Sequence, residues 1–187
     1  SVRRHGELIT LMKIDIQPTL VGRSITLRPL LKEDFSALYL AASDPVIWEI
    51  HPDSSRYKQN IFKERFFEGA IASGGAFAVI DNESGRIIGS SRYYKWNPDK
   101  QEISIGYTFL EKAVWGSGIN QEMKELMLTH IFNTASIVWF GVGEINHRSR
   151  KAVEKLGATL TRKEERELDG KPYTQMYYKL TASGYCA

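Results

Sequence analysis

Residues 102–143 constrain the fold more than any other stretch of this chain. Residues 102–109 alternate like a strand, and residues 136–143 form a short apolar strand. Between them, residues 120–132 place Met123, Leu126, Met127 and Ile131 on one face of a helix. Two strands joined by a helix run parallel with a right-handed crossover, so the sequence predicts one parallel strand pair within a sheet.

The other predicted elements are mostly antiparallel strands joined by short turns. Strands are predicted at residues 24–30, 75–81, 86–96, 159–166 and 173–180, and helices at residues 34–42, 56–72 and 149–156. The resulting class is α+β (mixed α/β), a mixed sheet with helices on its faces.

Length and composition indicate one domain without nucleic-acid or membrane partners. The 187 residues, 42% of them apolar, suit a single domain over residues 20–181. Residues 1–19 are expected to be an N-terminal extension containing a processing remnant, with Met12 a candidate start. The 25 basic and 22 acidic residues are scattered, which disfavours nucleic acid, and no apolar run reaches the roughly 20 residues that span a bilayer.

The cysteine and histidine content predicts a reducing compartment and no metal site. Cys186 is the single cysteine, so no intrachain disulfide can form and a cytoplasmic location is expected. The histidines stand apart from cysteine and carboxylate partners at ligand spacing. They are His5, His51, His130 and His147.

A glycine turn directly precedes the helix of residues 120–132. Backbone amides at a helix start attract phosphate, and Gly116 and Gly118 let a ligand approach those amides, with Ser117 as an extra donor. A plain tight turn into a helix is the alternative interpretation. Ile119 and Asn120 after Gly118 exclude the Walker motif, which needs lysine followed by serine or threonine.

Gln121 stands where the dinucleotide fingerprint needs its third glycine, which disfavours nicotinamide cofactors. Asn146 and Ser149 follow the neighbouring parallel strand, so their side chains are expected beside the same opening. They are placed to orient a second part of one ligand.

Four segments together resemble the GNAT acetyltransferases, and in particular the ribosomal-protein N-acetyltransferases. They read "LRPLLKEDF", "IIGSSRYY", "SIGYTFLEKAVWGSGIN" and "NHRSRKAVEKLGA", and the resemblance covers nearly all of residues 20–180. The family's glycine loop follows R/Q-x-x-G-x-G/A, and here Ala113 replaces the first Arg or Gln. The resemblance implies the acyl-CoA N-acyltransferase fold, a largely antiparallel sheet of about six to seven strands with a central splayed parallel pair and about four helices.

The same resemblance implies where acetyl-CoA, the expected co-substrate, would bind. Its pantetheine arm would pair with the backbone near Tyr107, Thr108 and Phe109, where the parallel strands splay apart. Its pyrophosphate would meet the glycine loop, and Asn146 would contact a pantetheine amide. The loop residues concerned are Gly116, Ser117, Gly118, Ile119 and Asn120; Arg148, Arg150 or Lys124 would screen the remaining phosphate.

Acetyl transfer needs a neutral amine and a proton for the departing thiolate. By resemblance, Ser149 is the candidate donor to the coenzyme sulfur, with a helix N-cap as its alternative role. Glu102 is the candidate base because it shares a strand face with Ser104, where relatives carry glutamate. Glu144 and a relaying water are the other candidates, and a solvated strand carboxylate is the alternative for Glu102.

Trp48, His51, Tyr93 and Tyr94 are candidates for the acceptor pocket, with aromatic core packing as the alternative. The expected function is direct transfer of acetyl from acetyl-CoA to a primary amine, either a protein N-terminus or a small molecule, by an N-acetyltransferase (an acyltransferase that transfers groups other than aminoacyl groups). A non-catalytic acyl-CoA-binding module and an interaction domain without the coenzyme are the alternatives. Relatives are often homodimers, so a homodimer is also expected.

Overall fold

A computed structural model describes residues 14–185 of the chain. The expected start at Met12, His5 and the terminal Cys186 therefore lie outside the described residues. Residues 14–19, which the sequence assigned to an extension, pack Ile14 and Ile16 against the core.

Eight strands form one sheet in the order β1-β2-β3-β4-β5-β6-β8-β7. They are β1 (Leu20–Val21), β2 (Ile25–Pro29), β3 (Ala76–Asp81), β4 (Ile87–Asn97), β5 (Glu102–Leu110), β6 (Ile137–Gly143), β7 (Thr159–Leu168) and β8 (Lys171–Thr181). Every neighbouring pair is antiparallel except β5 and β6, which are parallel. The predicted fold class and the parallel pair are confirmed, and the two-residue β1 is the strand that the sequence did not predict.

Four helices cover the two faces of this sheet. They are α1 (Phe35–Ala42), α2 (residues 59–73), α3 (Ile119–Ile131) and α4 (His147–Lys155). Within α2, the π-helical turn Lys63–Phe67 separates the α-helical segments Gln59–Phe62 and Glu68–Ser73. Helix α4 begins two residues before the predicted start, because the Asn146 side chain accepts the amide of Ser149 and caps the helix.

The core lies in two layers, one on each face of the sheet. Met123, Met127 and Ile131 of α3 are fully buried against one face. On the other face, α1 and α2 pack an aromatic cluster in which the rings of Phe62 and Phe66 stack 5.0 Å apart. Burying both faces fixes α3 and α2 on opposite sides of the parallel pair.

The parallel pair separates soon after it begins. β5 and β6 pair at Glu102, Ile103 and Ser104 and at no later residue, although both strands continue. In β5, Tyr107 and Thr108 together face the single residue Ser91 of β4, a bulge in which Tyr107 has a φ of +51°. The bulge bends β5 away from β6 and leaves a gap in the middle of the sheet.

Candidate active site

The gap between β5 and β6 opens into a cavity of about 510 Å³. Its lining combines Tyr107 and Thr108 of β5, Asn120 of α3, and Asn146 and Ser149 at the start of α4. All five were predicted coenzyme contacts, and the fold brings them together. The opposite part of the lining comes from residues 51–65, the end of β4, and strands β7 and β8.

The glycine turn has the left-handed geometry that glycine favours, with φ of +74° at Gly116 and +88° at Gly118. A Cβ added at either glycine would meet nothing within 4 Å, so the space beside the turn is open. The amides of Gly116, Gly118 and Asn120 make no hydrogen bond to other described residues. They are therefore free to bind an anion at the positive end of α3.

Two details of this turn differ from the sequence prediction. The Ser117 hydroxyl donates to the carbonyl of Val114, so it points back into the loop and is not an additional outward donor. The Ile119 amide reaches Ser117 Oγ at 3.4 Å, and the Ser117 amide reaches the Val114 carbonyl at 3.3 Å. Binding by this turn thus depends on the other three amides.

The first turn of α4 presents two polar side chains to the cavity. Asn146 Oδ1 accepts the amide of Ser149 at 3.3 Å, which leaves its Nδ2 group without a partner among residues 14–185. The N-cap role offered for Ser149 is wrong because Asn146 has it. Ser149 Oγ makes no hydrogen bond to the described residues and is half-buried in the cavity wall, so it is available to a ligand.

Lys124 is a deeply buried basic group in the cavity wall. Its side chain extends from α3 so that Nζ donates to Thr108 Oγ1 at 3.0 Å and lies 5.7 Å from the Phe140 ring centroid. Lys124 is 6% exposed, and burial lowers the pKa of its amine to about 8. About a fifth of this amine is therefore neutral at pH 7.4, far more than for an ordinary lysine.

His51 reaches the far side of the cavity as a neutral side chain. Its Nδ1 accepts the amide of Asp53 at 2.9 Å, and its ring packs edge-on against Trp48. Burial first, and the nearby Arg56 second, lower the pKa of His51 to about 3. With Nδ1 occupied and the ring neutral, His51 is a donor through Nε2 rather than a proton acceptor.

Tyr94 also lines the cavity, and burial raises the pKa of its hydroxyl to about 12. Its ring packs edge-on against Tyr107 with centroids 5.3 Å apart. Tyr94 is therefore protonated and gives the cavity wall a neutral hydroxyl.

Trp48 and Tyr93 do not line the cavity, contrary to their predicted roles in the acceptor pocket. Phe109 also lies outside the lining, but its predicted role is a main-chain contact to the pantetheine arm, which stays a prediction. Trp48 is 2% exposed and donates to the carbonyl of Ala42, while Tyr93 is fully buried and donates to the carbonyl of Met127. The Phe109 ring packs 5.3 Å from the Trp48 ring. Core packing, the alternative considered for the two acceptor-pocket candidates, is the role that their burial supports.

The candidate carboxylate bases also lie outside the cavity lining. Glu102 sits where β5 and β6 are still paired, and its Oε2 accepts from Trp139 Nε1 at 3.1 Å. Glu144 has its carboxylate 3.8 Å from Lys163 Nζ. Asp53 is the one carboxylate that residues 14–185 contribute to the lining, but it is 4% exposed and bonded to two arginines.

Of the three cations predicted to screen a phosphate, one lines the cavity and two do not. Lys124 lines the cavity, whereas the Arg148 guanidinium stacks 3.6 Å from the Trp115 ring centroid and Arg150 bonds to the carbonyl of Glu144. Within residues 14–185 no group of three His, Cys, Asp or Glu side chains has the geometry to hold a metal ion. The helices of that part of the chain include none with the length and apolar character to cross a bilayer.

The helical period of the sequence indicates that Lys124 lies on the apolar face of α3. Lys124 follows Asn120 by four residues and precedes Met127 and Leu128 by three and four, so the helical period places it on the apolar face. A lysine there must be buried among apolar side chains or reach a cavity. Its lowered pKa depends on tertiary contacts and has no sequence signal.

The comparison with known proteins agrees with the fold. Residues 24–159 match the family described as acetyltransferase (GNAT) domain, and the chain belongs to that family. No curated protein matches the chain.

Solved structures share the fold across most of the chain. A GCN5-related N-acetyltransferase from Brucella melitensis is 18% identical with a TM-score of 0.79, over 90% of this chain and 80% of that one. A probable GNAT-family acetyltransferase from Chromobacterium violaceum is 16% identical with a TM-score of 0.79, over 92% and 90%. The spermidine N-acetyltransferase from Vibrio cholerae, solved with CoA and spermine, is 15% identical with a TM-score of 0.69, over 88% and 99%.

Proposed function

We propose that this protein is an acetyl-CoA-dependent N-acetyltransferase that moves an acetyl group directly to a primary amine. The observation that carries the proposal is one cavity, in the gap of the parallel pair, whose lining joins Asn120, Asn146 and Ser149 to an aromatic and basic far wall. Ligands of sheets with parallel strands bind at the strands' carboxyl ends, where this gap lies. A donor and an acceptor can thus approach each other from opposite ends of one cavity.

The proposed donor site uses main-chain groups for the diphosphate. The free amides of Gly116, Gly118 and Asn120 bind its charge at the start of α3. The pantetheine arm follows the open edge of β5 beside Thr108, and Asn146 Nδ2 donates to one of its carbonyls. Ala113 in place of Arg or Gln removes a side-chain contact but no main-chain donor.

Acetyl-CoA supplies the acetyl group as an activated thioester. Side chains of the protein assist the proton transfers that the reaction requires. Ser149 Oγ, which has no partner among residues 14–185, donates a hydrogen bond to the thiolate that leaves, and the proton that the nitrogen releases as the amide forms passes to the sulfur. The acceptor ammonium must lose a proton before it reacts. Since Glu102 and Glu144 lie outside the lining and Asp53 is paired, we assign that role to the neutral amine of Lys124.

Direct transfer is part of the same proposal, because the described residues that line the cavity include no cysteine. The protein would act in the cytoplasm, as the lone cysteine of the sequence suggested. Residues 20–181 would form the single catalytic domain. A polyamine, an amino acid and a peptide N-terminus remain the acceptor classes to be tested.

Two measurements test the function. In the first, radiolabelled acetyl-CoA and a panel of amines are incubated with the protein, and label is expected in an acetylated amine. In the second, thermal unfolding is followed against CoA concentration. The free energy of unfolding is expected to rise by RT ln(1 + [L]/Kd), which raises the melting temperature.

The outcomes of these measurements separate the alternatives. Stabilisation by CoA without transfer to any amine would favour a non-catalytic acyl-CoA-binding module, which the lack of a free carboxylate in the lining makes a specific alternative. No stabilisation at all would indicate an interaction domain that does not bind the coenzyme. Transfer together with stabilisation supports the proposed enzyme.

A further inference from the structure

The far wall of the cavity carries a strong excess of positive charge. Among the described residues, four side chains of this wall are basic and Asp53 is the single acidic one. The basic residues are Arg56, Arg65, Lys95 and Arg166. His51 adds no positive charge, since it is neutral.

Pairing with carboxylates compensates part of that charge and leaves an excess of positive charge. Asp53 is shared, with Oδ2 2.9 Å from Arg56 Nε and Oδ1 3.1 Å from Arg65 Nη1. Arg65 has a second partner in Asp169, and Arg166 has Glu164. Lys95 has no carboxylate partner within residues 14–185.

Arg56 is fixed through its Nε, and its two terminal guanidinium nitrogens are available to a ligand. Its Nε is fixed by Asp53, and its guanidinium lies 5.7 Å from the Trp48 ring centroid and 5.9 Å from that of Tyr107. The side chain is 12% exposed, yet its two terminal nitrogens make no hydrogen bond to the described residues. A guanidinium fixed at one edge presents a planar pair of donors that matches a carboxylate.

A second buried guanidinium lies behind Arg56. Arg92 is 5% exposed, stacks 3.8 Å from the Tyr107 ring centroid and donates to the carbonyl of Phe66. Its Nε has no partner, and no carboxylate of the described residues pairs with it. Burial and the charge of Arg56 lower the pKa of Arg92 to about 10, so the group is still charged at neutral pH. An unpaired buried cation is costly, and a bound anion would offset that cost.

We propose that the acceptor is an amine that also carries a carboxylate, which Arg56 binds through its two terminal nitrogens. This inference rests on the proposed acetyl transfer and names its substrate class. The carboxylate can belong to a free amino acid or to an acidic residue near a peptide N-terminus. Polyamines are expected to be poor acceptors, because the positive charge of the wall repels their positive charges.

The test compares amines that differ only in the carboxylate. Initial rates are measured for L-alanine and β-alanine against their carboxamides, for amidated peptides beginning Asp-Ala and Asn-Ala, and for spermidine. The carboxamide lowers the pKa of its amine and makes it intrinsically more available. We therefore expect kcat/KM for each carboxylate to exceed that of its carboxamide by roughly tenfold or more only if the wall binds the charge. Preference within the amino-acid or the peptide pair identifies the source of the carboxylate.

Two sets of variants locate the effect. Arg56→Lys keeps the charge but loses the planar donor pair, and it should remove most of the preference. Lys95→Gln should lower kcat/KM for carboxylates modestly, whereas Lys100→Gln, the same charge change on an exposed residue outside the lining, should not. If Arg56→Lys does not fold, the wild-type substrate comparison stands by itself.

The results distinguish this inference from the proposed function. Transfer with equal rates for carboxylates and carboxamides, or a preference for spermidine, would overturn the inference and leave the function intact. If no amine is acetylated, calorimetry with CoA present compares N-acetyl-L-alanine with its carboxamide. Tighter binding of the acid would support the carboxylate site in a protein that does not transfer acetyl. Equal or absent binding would overturn both the carboxylate site and the proposed function.

Discussion

Gly118 begins α3 in a left-handed conformation with a φ of +88°, which side chains with a Cβ adopt at a cost. Its amide is one of three free donors proposed to hold the coenzyme diphosphate. A branched side chain at this position would stand in the open space that the ligand needs. Both the backbone angle and the missing side chain therefore serve the same site.

We expect Gly118→Val to abolish the CoA-dependent rise in melting temperature while the protein remains folded. Gly85→Val is the matched control, since Gly85 has a φ of +75° and equally open surroundings in the turn between β3 and β4. Ser117→Ala should matter much less because its hydroxyl points back to Val114. Unchanged affinity for CoA in Gly118→Val would refute the amide site.

Ser149 Oγ faces the cavity with no partner among the described residues, which suits a donor to the leaving thiolate. Ser149→Ala is expected to lower kcat by roughly 100-fold, the lower range for a proton donor, with CoA affinity nearly unchanged. The helix should persist because Asn146 caps it. Rates and CoA titrations measured on the same preparation check this, and equal turnover would remove Ser149 from catalysis.

The burial of Lys124 makes the free energy of unfolding depend on pH. Its pKa falls from 10.5 to about 8 on burial, so the folded protein binds fewer protons than the unfolded chain between those pH values. Stability from this group therefore rises with pH across that window, and the full cost, roughly 3 kcal/mol, applies below pH 8. Lys124→Met should raise the free energy of unfolding at pH 7 by about that amount and by little at pH 10.5.

Denaturant unfolding at both pH values checks the Lys124 prediction, with the exposed Lys151→Met as control. An equal gain at the two pH values would mean that the lysine is not buried as a shifted amine. A hydrazide acceptor is neutral throughout and releases a proton only as its nitrogen bonds to the acetyl carbon. If Lys124 takes that proton, the rate should rise with pH near 8 and lose that rise in Lys124→Met. A rise that persists in the variant would remove Lys124 as the proton acceptor.

At the scale of elements, the end of β6 holds the acceptor-side loop in place. A Cβ at Gly143 would lie 2.6 Å from Pro52 Cγ, so glycine permits the loop that carries His51 and Asp53 to close over the strand. The π-helical turn of α2 serves the same wall. It buries the adjacent Phe66 and Phe67 and leaves Arg65 within reach of Asp53.

Gly143→Ala should displace Pro52 and the acceptor wall by a few tenths of an ångström or more. We expect a several-fold higher KM for the amine, because small misplacements at a reacting site are costly. CoA affinity should stay the same since the glycine turn lies at α3. Gly74→Ala, at the end of α2 with open surroundings, is the control for backbone strain elsewhere. A change in CoA affinity alone would contradict this division of the cavity.

For the whole molecule, the ligand is expected to bridge three elements around the gap. CoA would contact β5, the start of α3 and the start of α4. Amide hydrogen exchange should therefore slow at residues 106–109, 116–121 and 146–149 when CoA binds. Exchange in β7, at the sheet edge, should stay unchanged; uniform protection would point to global stabilisation instead. A homodimer stays a prediction.

Sequence periodicity was sufficient for most elements because each buries one face. Alternation in residues 102–109 and the helical spacing from Met123 to Ile131 predicted β5, α3 and their parallel partner. Single aromatic residues were harder. Trp48 and Tyr93 were expected at the acceptor site, but a sequence does not say whether an aromatic ring packs inward or lines a cavity.

The sequence by itself determined the mixed sheet, the parallel pair and the glycine turn, because these follow from local periodicity and from the conformations that glycine allows. The tertiary structure decided which charges meet. Asp53, Arg56 and Arg92 come from a loop and from β4, far apart along the chain from Lys124. Their burial, their pairing and the lowered pKa of Lys124 arise only when the two faces of the sheet pack, since electrostatic strength depends on the exclusion of water.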